Sequence, residues 1–370
     1  MTFIRSIIDT LTDLAHPSLQ ESYDNTGLLT GDPAWPCTGV LCTLDVTEDV
    51  VNEAILEQTN LIVAHHPLIL RQLKTLVPGT AVERTLVKAI KHDIAIYAIH
   101  TNYDNVHHGV NLALARTLGL SPSDLKVLAP MGGKLAKLYT YVPAQYAEQV
   151  KTALFAAGAG RIGLYAECGF ETSGKGSFRP GEGSDPFIGR AGGPRETVDE
   201  LKIEVIFPIW LKNRVLNALK TAHPYEEVAY EVLLTENEHQ EVGAGMIGNL
   251  PETMSEMDWL NHVKEKLGIP VLRHSALTGN PVKKVAICGG AGAFLQKKAL
   301  QAGADTFLTA DLKYHDFFEP EGRMLLMDIG HGESERGAMT QLCQFLHEKF
   351  PTFAVLQTKV DTNPVRYFKG

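Results

Sequence analysis

The chain has 370 residues, 44% apolar and 21% charged, a balance that fits a soluble globular protein and a length that calls for two or three domains. No apolar run approaches the roughly 20 residues of a membrane span, and Met1-Thr2-Phe3-Ile4-Arg5 lacks the basic head and long apolar body of a signal peptide. A net charge of −9 gives no general pull on nucleic acid, so nucleic-acid binding ranks low, and five scattered cysteines without a CxxC pair suit a reduced cytoplasm.

The first part alternates helix and strand. Ile4, Ile7, Ile8, Leu11 and Leu14 form a helical stripe. A short buried strand, Gly39 to Leu44, precedes Asp45, and a helix runs from Glu48 to Gln58. The strand Leu61–Ala64 then runs into His65-His66-Pro67. A helix over Ala81 to His92 and a strand over Ile94 to Ile99 follow. Apolar strands separated by helices argue for a parallel or mixed sheet covered on both faces.

Residues 134–242 differ in character. They read as a strand (Leu138–Val142), a helix (Ala144 to Ala157), a Gly- and Pro-rich stretch (Gly158 to Pro194), a second strand and helix (Lys202 to Phe207, Trp210 to Thr221) and a last strand (Val228 to Leu234). Two such units suggest a small ferredoxin-like α+β module. It interrupts a metal-bearing α/β domain made of residues 1–133 and 243–370. That second half has strands at Val285–Cys288, Thr306–Leu308 and Met324–Met327, and a closing helix from about Glu333 to Phe350.

Ligand-type residues gather just after four of these strands: His65 and His66, His100 and Asp104, Asp311 and His315, His331 and Glu335. Sites in open α/β sheets form at the carboxyl ends of strands. His331 and Glu335 are four apart, so a helix brings them onto one face, continuous with the buried Ala338, Met339 and Leu342. A carboxylate withdrawn from water there wants a counter-cation. Adjacent strand residues point to opposite faces, so one histidine per ion is expected. The resulting assignment puts His66 and Asp104 on one ion, His65 and His331 on the other, and Glu335 between them. Mixed N and O ligands suit zinc, iron or manganese. Two such ions about 3.5–4 Å apart can hold a hydroxide nucleophile at neutral pH, with His100 moving protons or orienting a ligand. The start of the last helix could take an anion. His107-His108 reads as surface, and Gly289-Gly290-Ala291-Gly292 as a tight turn more readily than a phosphate cradle. Asp24-Asn25-Thr26-Gly27 reads equally as site lining or turn, and Asp311, Lys313 and His315 stay open in the same way.

Five segments carry a family resemblance: Tyr23-Asp24-Asn25-Thr26-Gly27-Leu28, His65-His66-Pro67, His100-Thr101-Asn102-Tyr103-Asp104-Asn105, Thr309-Ala310-Asp311-Leu312-Lys313-Tyr314-His315 and Gly330-His331-Gly332-Glu333-Ser334-Glu335. Together they resemble the type 2 homologues of GTP cyclohydrolase I, also called Nif-three-like proteins. The match covers nearly the whole chain. It is similar to the longer bacterial form, whose inserted module resembles the PII and CutA proteins. Phe170, Gly174-Lys175-Gly176, Phe178-Arg179-Pro180 and His223-Pro224-Tyr225-Glu226-Glu227 look like that insert's signature. The resemblance implies a two-metal centre on His65, His66, Asp104, His331 and Glu335, a toroidal homohexamer and a cytoplasmic location. The family name implies hydrolysis of GTP, so a metal-dependent hydrolase of a nucleotide or similar small ligand is expected. The alternative is a regulatory or metal-handling hexamer whose insert senses a small ligand. Ala310 stands where the family often has Gly.

Overall fold

Buried four-residue strands build the centre of the larger of two compact units. The computed structural model describes residues 2–368. One unit gathers the chain up to Pro130 with the chain from Glu241 onward, and the other is Met131–Gln240.

The larger unit has two sheets. In the first, the strand order is Gly27–Thr30, Ala95–Ala98, Leu61–Ala64, Val40–Thr43, Val355–Gln357. All neighbours run parallel except Gly27–Thr30, which is antiparallel to Ala95–Ala98. Every residue of the three middle strands is buried, which accounts for their unbroken apolar character. In the second, the order is Arg273–His274, Leu325–Asp328, Thr306–Ala310, Val282–Ala291, His239–Met254, Lys126–Met131. Thr306–Ala310 is parallel to both of its neighbours, whereas Val282–Ala291 and His239–Met254 are antiparallel. The domain is therefore a mixed α/β fold, as expected, though built on two sheets. The two stretches of chain interlock: Val355–Gln357 joins the first sheet and Lys126–Met131 the second. The last helix, His331–Lys349, buries Ala338, Met339, Leu342 and Leu346 in one core with Ile4, Ile7 and Leu11 of the first helix, Ile4–Leu14.

The smaller unit orders its strands Gly169–Phe178, Glu196–Pro208, Leu135–Pro143, Tyr230–Leu234, all antiparallel. In sequence these alternate with the helices Ala147–Ala156 and Lys212–Ala222 as βαββαβ, a ferredoxin-like topology. Leu138, Ile203, Val205 and Phe207 bury against Val150, Leu154, Val215 and Leu219 of the helices. The strand Gly169–Phe178 corrects the sequence reading, which left Gly158 to Pro194 without one. It is an edge strand exposed along nearly all its length. Half-buried alternation, the usual mark of a strand, is therefore missing from it.

Candidate metal centre

Sheet register brings the candidate residues to one place. Ala64 pairs with Thr43 on one side and Ala98 on the other, all parallel. Asp45, His65-His66 and His100 thus leave the first sheet along the same edge. In the second sheet Thr309 pairs with Asp328, so Asp311 and His331 also leave side by side. The strand stops at Ala64, and the alternation that would part His65 from His66 stops with it. Their rings lie 4.9 Å apart between centroids. The His100 ring is 5.2 Å from that of His65 and 5.3 Å from that of His66, and His331 is also 5.3 Å from His66.

Each of the four imidazoles is held by its Nδ1. His65 Nδ1 lies 2.9 Å from the carbonyl oxygen of Ile99. His66 Nδ1 is 2.8 Å from Asp45 Oδ1, His100 Nδ1 2.7 Å from Asp24 Oδ1, and His331 Nδ1 2.7 Å from Asp311 Oδ2. These acceptors fix the proton on Nδ1, leaving the Nε2 lone pair free to bind. Asp24 is itself fixed by the backbone N–H of Thr101 at 3.0 Å, and Asp45 accepts from Thr362 Oγ1 at 2.8 Å.

The Nε2 atoms of His65, His66 and His331 converge on two carboxylates. Glu335 Oε1 is 3.3 Å from His331 Nε2 and 3.7 Å from His65 Nε2, and its Oε2 is 3.1 Å from His66 Nε2. Asp104 Oδ1 is 3.6 Å from His65 Nε2. His65 Nε2, His66 Nε2, Asp104 Oδ1 and Glu335 Oε2 are all buried without an aligned hydrogen-bond partner. His66 and Glu335 are therefore close without being bonded. Buried polar atoms of this kind need a partner. Two ligands each about 2.1 Å from a tetrahedral ion stand about 3.4 Å apart, and the spacings above bracket that distance. The residues fit metal ions.

Charge points the same way. Burial disfavours a charged His66, yet the hydrogen bond to Asp45 and the negative charge of Glu335 and Asp45 outweigh it and hold its pKa up at about 10. The hydrogen bond to Glu335 leads in raising His331 to about 9. Burial pushes Asp104 up, and the nearby Glu335 adds to it. Burial opposes the charged form of Glu335 as well, but its three histidine neighbours draw its pKa well down. Protons stand in for cations among these groups.

The cluster resolves into His65 with Asp104 and Glu335, and His66 with His331 and Glu335. This corrects the pairing expected from sequence, which exchanged the two histidines. Sheet order is the reason: His65 turns toward the strand that leads to Asp104, and His66 toward Asp45 and His331. Glu335 belongs to both groups. A third group joins His100 to His65 and His66, so His100 reaches the cluster directly.

Glycine makes the space. Gly290 has φ +64°, and a Cβ there would lie 2.4 Å from Glu335 Oε1. The amides of Gly289, Gly290 and Gly292 are taken by Asn111, Ser334 and Thr309 side chains, so this run is not a phosphate cradle. The start of the last helix already holds a buried carboxylate, Glu333, which accepts from Asn363 and Tyr367.

His107, His108, Lys313 and His315 stay outside the cluster. Asp24 and Asp311, left open by sequence, each orient a histidine. Asp45 was missed, because an aspartate after a strand is common in turns. The only available signal was its place after a third strand that proves parallel to Leu61–Ala64.

The family model for Duf34/NIF3 (NGG1p interacting factor 3) matches residues 2–364. The chain belongs to the Duf34/NIF3 family. A Halalkalibacterium halodurans protein called GTP cyclohydrolase 1 type 2 homolog is 40% identical over 358 residues, 95% of each chain. A Bacillus subtilis protein of the same name is 40% identical over 93% of each. Among solved structures, a Bacillus cereus protein related to NIF3 superposes with a TM-score of 0.86 at 36% identity over 99% of both chains. Among the described residues no helix is long and apolar enough to cross a membrane.

Proposed function

We propose that this Duf34/NIF3 protein is a divalent-metal-dependent hydrolase of a nucleotide or related small ligand. One ion would be held by His65, Asp104 and Glu335, and the other by His66, His331 and Glu335. The observation that carries this reading is the set of four buried, unpartnered ligand atoms, one of them on the carboxylate shared by both groups. Bound there, two divalent cations of zinc, iron or manganese type supply Lewis acidity and make water nucleophilic at neutral pH.

The chain's own residues do the rest. Asp45, Asp311 and the Ile99 carbonyl hold three imidazoles in one tautomer and orientation. Asp24 does the same for His100, whose ring edge meets both His65 and His66. His100 is placed to give or take a proton at Nε2, with Asp24 orienting the ring. Few protein ligands per ion leave room for water and substrate.

The relatives' name makes GTP the first substrate to try, beside a panel of phosphoesters. Metal-loaded wild type should turn one of them over, and Glu335→Ala should lower the rate by at least about a hundredfold. An inactive wild type, or equal rates in both, would reject catalysis at this centre. The toroidal homohexamer and cytoplasmic setting implied by the family resemblance belong to the same proposal. Light scattering should then give six times the 40.5 kDa chain mass.

A further inference from the structure

The ferredoxin-like unit contains a cavity of about 680 Å³, formed within that unit and lined by none of the metal-centre residues. Glu200 lines it and is only 9% exposed. Its Oε1 accepts from the Tyr225 hydroxyl at 2.8 Å. Burial and the neighbouring Glu200 push the Tyr225 pKa up, so the phenol stays a donor. Oε2 has no protein donor among the described residues, and no Lys, Arg or His lies within ion-pairing distance of Glu200. The sheet is cut away beside this oxygen: a Cβ on Gly176 would lie 1.9 Å from it. Glu200 is nine-tenths buried as a residue, and its Oε2 opens into the cavity with acceptor capacity to spare, where donors of a ligand reach it.

The walls narrow the class of ligand. Phe178 and Phe187 lie with ring centroids 5.7 and 6.2 Å from that of Tyr225, and all three rings line the cavity. Flat apolar walls favour a planar ring over a strongly hydrated ammonium group. Arg179 also lines the cavity; it is exposed and has no acidic partner among the described residues. An anionic tail would meet it there.

We propose that this cavity binds a planar nitrogen heterocycle whose two adjacent N–H donors face Glu200, with an anionic tail directed to Arg179. The site shares no residue with the metal centre and does not depend on the hydrolase reading. Guanosine 5′-monophosphate is the natural probe, since N1–H and the 2-amino group make such an edge. Calorimetry on the full chain in EDTA removes any contribution from bound metal. Guanosine 5′-monophosphate should bind one per chain. Adenosine and xanthosine 5′-monophosphates, which lack the paired donors, should bind at least tenfold more weakly. Glu200→Gln should cost at least tenfold in affinity for the guanine probe, with unchanged circular dichroism. Arg179→Ala, at an exposed position that folding does not depend on, should weaken the monophosphate several-fold and leave guanosine unaffected. Absence of heat with every probe at millimolar concentration would overturn the proposal. So would equal binding by wild type and Glu200→Gln, or a change in oligomer mass in that variant without any nucleotide binding, which would assign the face to a contact between copies.

Discussion

His66 is held at Nδ1 by Asp45, and its Nε2 faces Glu335. Asp45→Ala would free the ring to rotate and remove an acceptor from Thr362. We expect metal affinity to fall about 10–100-fold, read by competition with a chelating dye; unchanged affinity would show that the ring needs no such support. The same residue sets a pH dependence. His66 at about 10 and His331 at about 9 both lie above the ordinary 6.5. A group raised in the folded state adds stability that is complete below its unfolded pKa and lost as pH climbs through the folded one. Protein stripped with EDTA should therefore lose Tm between about pH 7 and pH 10. Metal-loaded protein should lose less over that interval, because cations replace the protons. Parallel Tm profiles for the two forms would contradict the assignment.

Two elements meet at Gly290: the strand Val282–Ala291 and the last helix, whose Glu335 fills the space a side chain would need. Gly290→Ala places a methyl against that carboxylate and asks alanine for a left-handed backbone, at a cost of about 1–2 kcal/mol. The fold should survive, since the core of the last helix lies beyond this point at Ala338, Met339, Leu342 and Leu346. Metal retained after dialysis, measured by elemental mass spectrometry, should fall at least tenfold. A variant with full metal content would mean that Glu335 can move aside and still bind.

At the scale of the molecule, every residue of the cluster belongs to the larger unit. The smaller unit enters and leaves through Lys126–Met131 and His239–Met254, adjacent strands of one sheet. Adjacent strands can be joined by a short turn. Replacing residues 133–238 with a short Gly-rich linker should leave metal stoichiometry and affinity within about twofold, while abolishing nucleotide binding at the Glu200 cavity. Loss of metal in a folded, shortened chain would show that the insert supports the centre.

The helix His331–Lys349 and the strands Leu61–Ala64 and Ala95–Ala98 were legible from periodicity and apolar runs, and so was the pairing of His331 with Glu335. Local spacing suffices for these, because residues four apart on a helix are neighbours whatever the fold does. The family motifs carried the same five ligand candidates, and the ferredoxin-like module was legible but for its edge strand, whose exposed face left no apolar pattern. The partnering of His65 with Asp104, and of His66 with His331, was not legible. Neither was the role of Asp45, nor the cavity around Glu200. Those depend on which strands lie side by side, and sheet order is set by long-range packing. Residue types and local spacing were enough to name the candidate ligands and the elements that carry them; which imidazole faces which carboxylate came from long-range packing, because that contact joins strand ends far apart along the chain.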